Sequence, residues 1–110
     1  MRLTLLTIPI LLAFEASASN LSFNTFGKIA CVGFEQNIHI TQAGHNRGNF
    51  FGERRSFEYL ASDGKCRLIA YTGDNQSGSS VDFGLTGTGS KGCRQAADQR
   101  AFRSFDVFCL

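Results

Sequence analysis

The residues of this chain whose types and spacing invite chemistry are two histidines, four cysteines and a group of arginines. His39 and His45 stand close enough in sequence to serve as acid and base, or to share a metal. A metal site needs further ligands, and no carboxylate or cysteine completes a convincing set with them. They read as ordinary strand and loop histidines, so no metal and no cofactor is expected. Cys31, Cys66, Cys93 and Cys109 contain no Cys-x-x-Cys pair, which sets aside zinc and dithiol redox chemistry. Arg47, Arg54 and Arg55 are close together and form a possible partner surface. Glu53 and Glu58 sit among them, the pattern of a solvated, self-paired face.

Other chemistry fails on single residues. Gly87-Thr88-Gly89-Ser90-Lys91-Gly92 lacks the Gly-Lys-Ser/Thr ending of a phosphate loop and reads as a flexible connection. No Gly-x-Ser-x-Gly elbow is paired with a later histidine. Two N-glycosylation sequons are present, at Asn20 and Asn75. The net charge of +2 is too small for a nucleic-acid footprint. No catalytic set emerges, and the chain is expected not to be an enzyme.

The N-terminus explains the cysteines. Arg2, the apolar run Leu3 to Phe14 and the Ala16-Ser17-Ala18 ending have the three parts of a secretory signal, with cleavage expected after Ala18. The run is too short to cross a bilayer, which takes about 20 residues. The protein is therefore expected to be secreted and extracellular. Residues 1–18 are the signal peptide, and 19–110 form one disulfide-stabilised β domain, expected to be a monomer without a membrane span. An even cysteine count in a short exported chain implies two disulfides, with three pairings open.

The elements that must position these residues are strands. Phenylalanine and glycine are abundant, with 11 and 12 copies, and the only proline is Pro9. Short alternating segments are separated by Gly/Asn/Asp/Ser clusters, which predicts an all-β fold, a small disulfide-stapled β-sandwich. Strands are expected at Ile38–Thr41, Ser56–Leu60, Cys66–Tyr71, Ser80–Phe83 and Phe102–Cys109. Ala61-Ser62-Asp63-Gly64 predicts a tight hairpin, and Gln95–Gln99 a single helical turn.

The second half resembles a βγ-crystallin-type Greek-key motif, over roughly residues 54–110. Tyr71 is followed seven positions later by Gly78, the aromatic-to-glycine spacing of that family's folded hairpin. Ser79 to Phe83 fits its second strand, and Arg103-Ser104-Phe105-Asp106-Val107 its last, which begins near a serine. Gln76 replaces the usual aromatic. In the first half, Thr41 and Gly48 repeat the spacing faintly. Family members often bind calcium through paired acidic or amide residues followed, two positions on, by Ser/Thr and Ser. Asp74-Asn75-Gln76-Ser77-Gly78-Ser79 has glycine where Ser or Thr is needed, so no calcium site is expected. The resemblance implies that the motif's third strand crosses to the opposite sheet. It therefore implies the pairs Cys66–Cys109 and Cys31–Cys93, against the sequential rival Cys31–Cys66 with Cys93–Cys109.

In format the chain resembles small secreted fungal proteins, including effectors and killer-toxin-like proteins, which implies a non-enzymatic, virulence-associated binding role toward a host protein or surface ligand. The alternatives are an antimicrobial, killer-toxin-like protein and an RNase-like hydrolase or its inactive relative. The chain is also similar to microbial guanyl-specific ribonucleases in length and disulfide number. That likeness would cast His39 or His45, Glu53 or Glu58, and Arg94 in catalytic roles, but no histidine follows His45 to protonate the leaving oxygen.

Overall fold

A computed structural model describes residues 21–86 and 92–110. Its strands are β1 (Leu21–Phe26), β2 (Phe34–Ile40), β3 (Gly44–Arg54), β4 (Ser56–Ser62), β5 (Cys66–Tyr71), β6 (Ser80–Leu85), β7 (Cys93–Arg94) and β8 (Phe102–Cys109). They form two antiparallel sheets of four, in the orders β2-β1-β4-β7 and β3-β8-β5-β6. Period-two alternation turns Leu21, Phe23, Phe57 and Tyr59 inward from the first sheet and Cys66, Leu68, Phe105 and Val107 from the second. Phe57 lies at the centre of this core. Its ring meets Phe23, Phe50, Phe83 and Phe102 at centroid distances of 6.3, 5.6, 5.5 and 6.1 Å, the range of favourable aromatic pairs.

The order of strands carries the main architectural fact. β3 leaves the sheet of β1, β2 and β4 and pairs with β8, while β7 leaves β5, β6 and β8 and pairs with β4. Each half thus gives its third strand to the other, and neither half completes a four-stranded sheet alone. Cys31–Cys93 follows from this exchange, while Cys66–Cys109 closes the second half's own β5–β8 pair. β7 carries Cys93 to the first half's Cys31, and Cys66 lies directly opposite Cys109 across β5 and β8. The sequential pairing is not formed.

The two halves repeat one hairpin. Between β1 and β2, Ala30, Cys31 and Gly33 have φ of 60°, 56° and 78°; between β5 and β6, Asn75, Gln76 and Gly78 have 54°, 58° and 79°. Lys28 N–H donates to Val32 O as Gly73 N–H donates to Ser77 O. A serine on each half's last strand clamps the loop. Ser56 Oγ donates to Lys28 O at 2.6 Å and accepts from Cys31 N at 2.9 Å. Ser104 Oγ donates to Gly73 O at 2.6 Å and accepts from Gln76 N at 2.8 Å. An amide after or on the exchanged strand completes each loop: Gln95 accepts from Ala30 N, and Asn49 from Asn75 N, both at 2.8 Å.

Several local expectations are corrected. The first-half counterpart of Tyr71–Gly78 is Phe26–Gly33, and the Thr41–Gly48 spacing falls instead on the β2–β3 connection and β3, a strand the sequence reading did not place. Asp63-Gly64 forms a bend, with Gly64 at φ 80°, but it joins β4 to β5 in the opposite sheet, so no hairpin results. Gln95–Gln99 holds a turn closed by Gln99 N–H to Ala96 O, not a helical turn. The expected signal peptide, residues 1–18, lies outside the described residues, as do Asn20 and residues 87–91 of the Gly-rich connection.

Candidate functional site: the outer face of the second sheet

Because Phe105, Val107 and Cys109 face the core, Asp106 and Phe108 of β8 face outward. Register aligns their neighbours in rows. His45, Phe108, Arg67 and Leu85 form one row across β3, β8, β5 and β6, and Arg47, Asp106, Ile69 and Asp82 the next. Phe108 and Leu85 remain 36% and 56% exposed. The His45 and Phe108 rings lie 4.7 Å apart.

Asp106 organises this face. It is 4% exposed, and a buried carboxylate is costly unless paired and hydrogen-bonded. His45 Nδ1 lies 2.9 Å from Oδ2 and 3.2 Å from Oδ1, and Arg47 Nε lies 3.3 Å from Oδ2. An ionised carboxylate only accepts, so Nδ1 carries the proton in this contact and Nε2 is left for a partner. Beside it, Arg67 donates to Asp82 at 2.7 Å. The arrangement can present an aromatic ring between an imidazole and a guanidinium, with the imidazole oriented by a carboxylate.

The expected arginine surface is only partly formed. Arg54 is 3% exposed and therefore no part of an exposed face. Its Nε donates to Thr25 Oγ1 at 2.9 Å and one terminal nitrogen to Phe51 O at 2.8 Å, while its guanidinium lies 5.9 Å from the Phe50 ring centroid. Burial holds its pKa below the ordinary arginine value, and the charge of Glu35 opposes that shift. Arg55, just before β4, donates to Gln99 O at 2.9 Å. Of the three, only Arg47 belongs to the face built on Asp106.

The residues cast for ribonuclease chemistry do not converge. His39 lies on the first sheet, alternating with buried Ile38 and Ile40, whereas His45 lies on the outer face of the second. Glu58 is on β4, Glu53 lies 3.9 Å from Arg103, and Arg94 sits 5.4 Å over the Tyr59 ring. Among the described residues there is no group of three His, Cys, Asp or Glu placed to hold a metal. Asn75 is exposed at its hairpin, with Oδ1 accepting from Asn49 Nδ2 at 2.9 Å.

Asp106 and Phe108 were absent from the sequence-derived site. The available signal was an aspartate between two inward residues of the most apolar strand, Phe105-Asp106-Val107, a position that calls for partners. No family model matches the chain, and no curated protein or solved structure matches it significantly.

Proposed function

We propose that the protein is a secreted, non-enzymatic binding protein of the fungal effector type. It uses a pair of βγ-crystallin-type Greek keys to hold one sheet face toward an extracellular or host protein or surface ligand. The exchange of third strands, the repeated folded hairpins and the serine clamps support the Greek-key reading. The two disulfides are compatible with export. One observation carries the binding reading: Phe108 stands exposed between His45 and Arg67, over a carboxylate-anchored base. Aromatic and arginine side chains dominate binding energy at protein interfaces.

The test is binding of the labelled mature protein to intact target cells, read by flow cytometry. Phe108→Ala and Arg67→Ala should lose binding while keeping the native unfolding transition, and His39→Ala on the opposite sheet should retain it. Equal binding by all variants would refute the assignment of this face. A growth-inhibition assay separates an antimicrobial role from a host-directed one.

A second reading follows from His45 and Asp106, whose contact is that of a base held by a carboxylate. It assigns RNase-like activity to His45. Digestion of total RNA that disappears in His45→Ala would favour it over the binding reading.

A further inference from the structure

The free edge of the second sheet runs along β3, the strand that carries His45 and Arg47. β3 is terminal in its sheet among the described residues, and its pairing with β8 is regular from Gly44↔Cys109 to Asn49↔Ser104. The backbone parity of this edge can be read from the disulfide-linked pair. Cys66 and Cys109 have Cα atoms 4.1 Å apart, the spacing of a non-hydrogen-bonded antiparallel pair. Leu110 N–H donates to Lys65 O, as that register requires. The backbone groups of Cys109 therefore point toward β3, and Gly44, Asn46 and Gly48 pair with β8 through their own backbone groups. His45, Arg47 and Asn49 direct their N–H and C=O groups at the open edge.

The other edges are less suited to accept a strand. β2 carries a register shift between Thr25 and Phe26 that makes Glu35 an extra residue, β6 contains a shift and Gly84 at φ 81°, and β7 has two residues. On β3, His45 and Arg47 offer backbone groups at the edge together with an imidazole and a guanidinium on the outer face. Among the described residues Arg47 reaches Asp106 through Nε, and a guanidinium has five donors. Cations on an edge discourage pairing with neutral or basic strands, and the same cations favour an acidic one.

We propose that β3 accepts an extended acidic segment of a partner protein by antiparallel strand addition, with carboxylates two positions apart lying opposite His45 and Arg47. This rests on the binding reading above and names the chemistry of its partner. The two-residue spacing follows from the pleat, since alternate residues share a face and alternate backbone groups share an edge.

The experiment uses the mature, disulfide-intact protein and a labelled peptide of alternating glutamate and threonine. Its controls replace every glutamate by lysine, or methylate the backbone nitrogen of every glutamate. The glutamate peptide should bind at least about tenfold more tightly than the lysine peptide, and more weakly as salt rises. The N-methylated peptide should fail, because the residues opposite His45 and Arg47 then lack the backbone donors that face β3. Hydrogen exchange should show new protection at the His45 and Arg47 amides. Arg47→Gln should weaken the glutamate peptide alone. Because this change also touches Asp106, a denaturation curve must show the variant folded, and the wild-type peptide series stands independently of it. Equal binding of the acidic and basic peptides, or protection elsewhere, would overturn strand addition. If the peptide series fails while Phe108→Ala still abolishes cell binding, the face reading survives and only the edge proposal falls.

Discussion

Replacing Arg54 by alanine tests whether this arginine belongs to the interior or to the surface. The change removes the donor to Thr25 Oγ1, the bond to Phe51 O and the contact with the Phe50 ring. Thr25 keeps its bond to Gln36 O, so one buried oxygen loses a partner without becoming isolated. A charge-assisted hydrogen bond at a buried site contributes about 1.5 kcal/mol or more. The cation–π contact adds about 0.5–1 kcal/mol, and loss of the buried aliphatic stem about another 1 kcal/mol. The expected loss is about 3 kcal/mol. Urea unfolding should show it as a lower midpoint at unchanged slope. For a domain of this size it corresponds to a fall of roughly 12–24 °C in Tm. Arg54→Lys should recover only part of the loss, since an ammonium cannot reproduce the planar fork. Arg55→Ala should cost under about 1 kcal/mol. Equal, small effects at positions 54 and 55 would refute the buried-arginine reasoning.

Three further outcomes follow. Tyr59 is buried, its hydroxyl has no hydrogen-bond partner among the described residues, and desolvation, opposed by Arg94 and reinforced by Asp82, pushes its pKa up to about 12. Between its ordinary value near 10 and about 12 the unfolded chain binds fewer protons, so stability is intact below that window and falls as pH rises through it, by about 2–3 kcal/mol at the top. Tyr59→Phe should be neutral or stabilising at pH 7 and should lessen the alkaline loss in denaturant titrations; a large loss at pH 7 would show a missed hydroxyl partner. Ser56→Ala and Ser104→Ala each unpair one loop N–H and one loop C=O, so both should lower stability by about 1–3 kcal/mol in urea melts, and a negligible effect at either would deny the repeated clamp. Cys93 is exposed whereas Cys66 and Cys109 are buried, so graded reduction with alkylation and peptide mass mapping should open Cys31–Cys93 first; prior opening of Cys66–Cys109 would contradict the described burial.

The sequence by itself determined the class of fold and most of its strands. Alternation in Cys66–Tyr71 and Phe102–Cys109 is a local signal, because successive side chains point to opposite faces whatever the strand pairs with. It also contained the hairpin spacing of Tyr71 and Gly78, since a left-handed glycine is required by the chain's own local geometry. The matching hairpin at Phe26–Gly33 was harder to read, because Ala30 and Cys31 occupy positive-φ positions without the usual residue types. β3 was missed because Gly44-His45-Asn46-Arg47-Gly48 has little apolar alternation. It is a strand because β8 supplies its ladder from sixty residues away.

Only the tertiary structure decided which arginine is interior. Arg47, Arg54 and Arg55 are equivalent in type and near in sequence, and their fates depend on what the packed sheets place around them. Arg54 meets Thr25 and Phe50, Arg55 meets the Gln99 carbonyl, and Arg47 meets Asp106. The candidate face has the same origin. His45 and Asp106 lie far apart in sequence and become neighbours when β3 crosses to the second sheet. A charge pattern along the chain reports composition, whereas burial and pairing are set by long-range register. The strand exchange between the halves therefore created the His45–Asp106–Arg47 cluster that no local window contains.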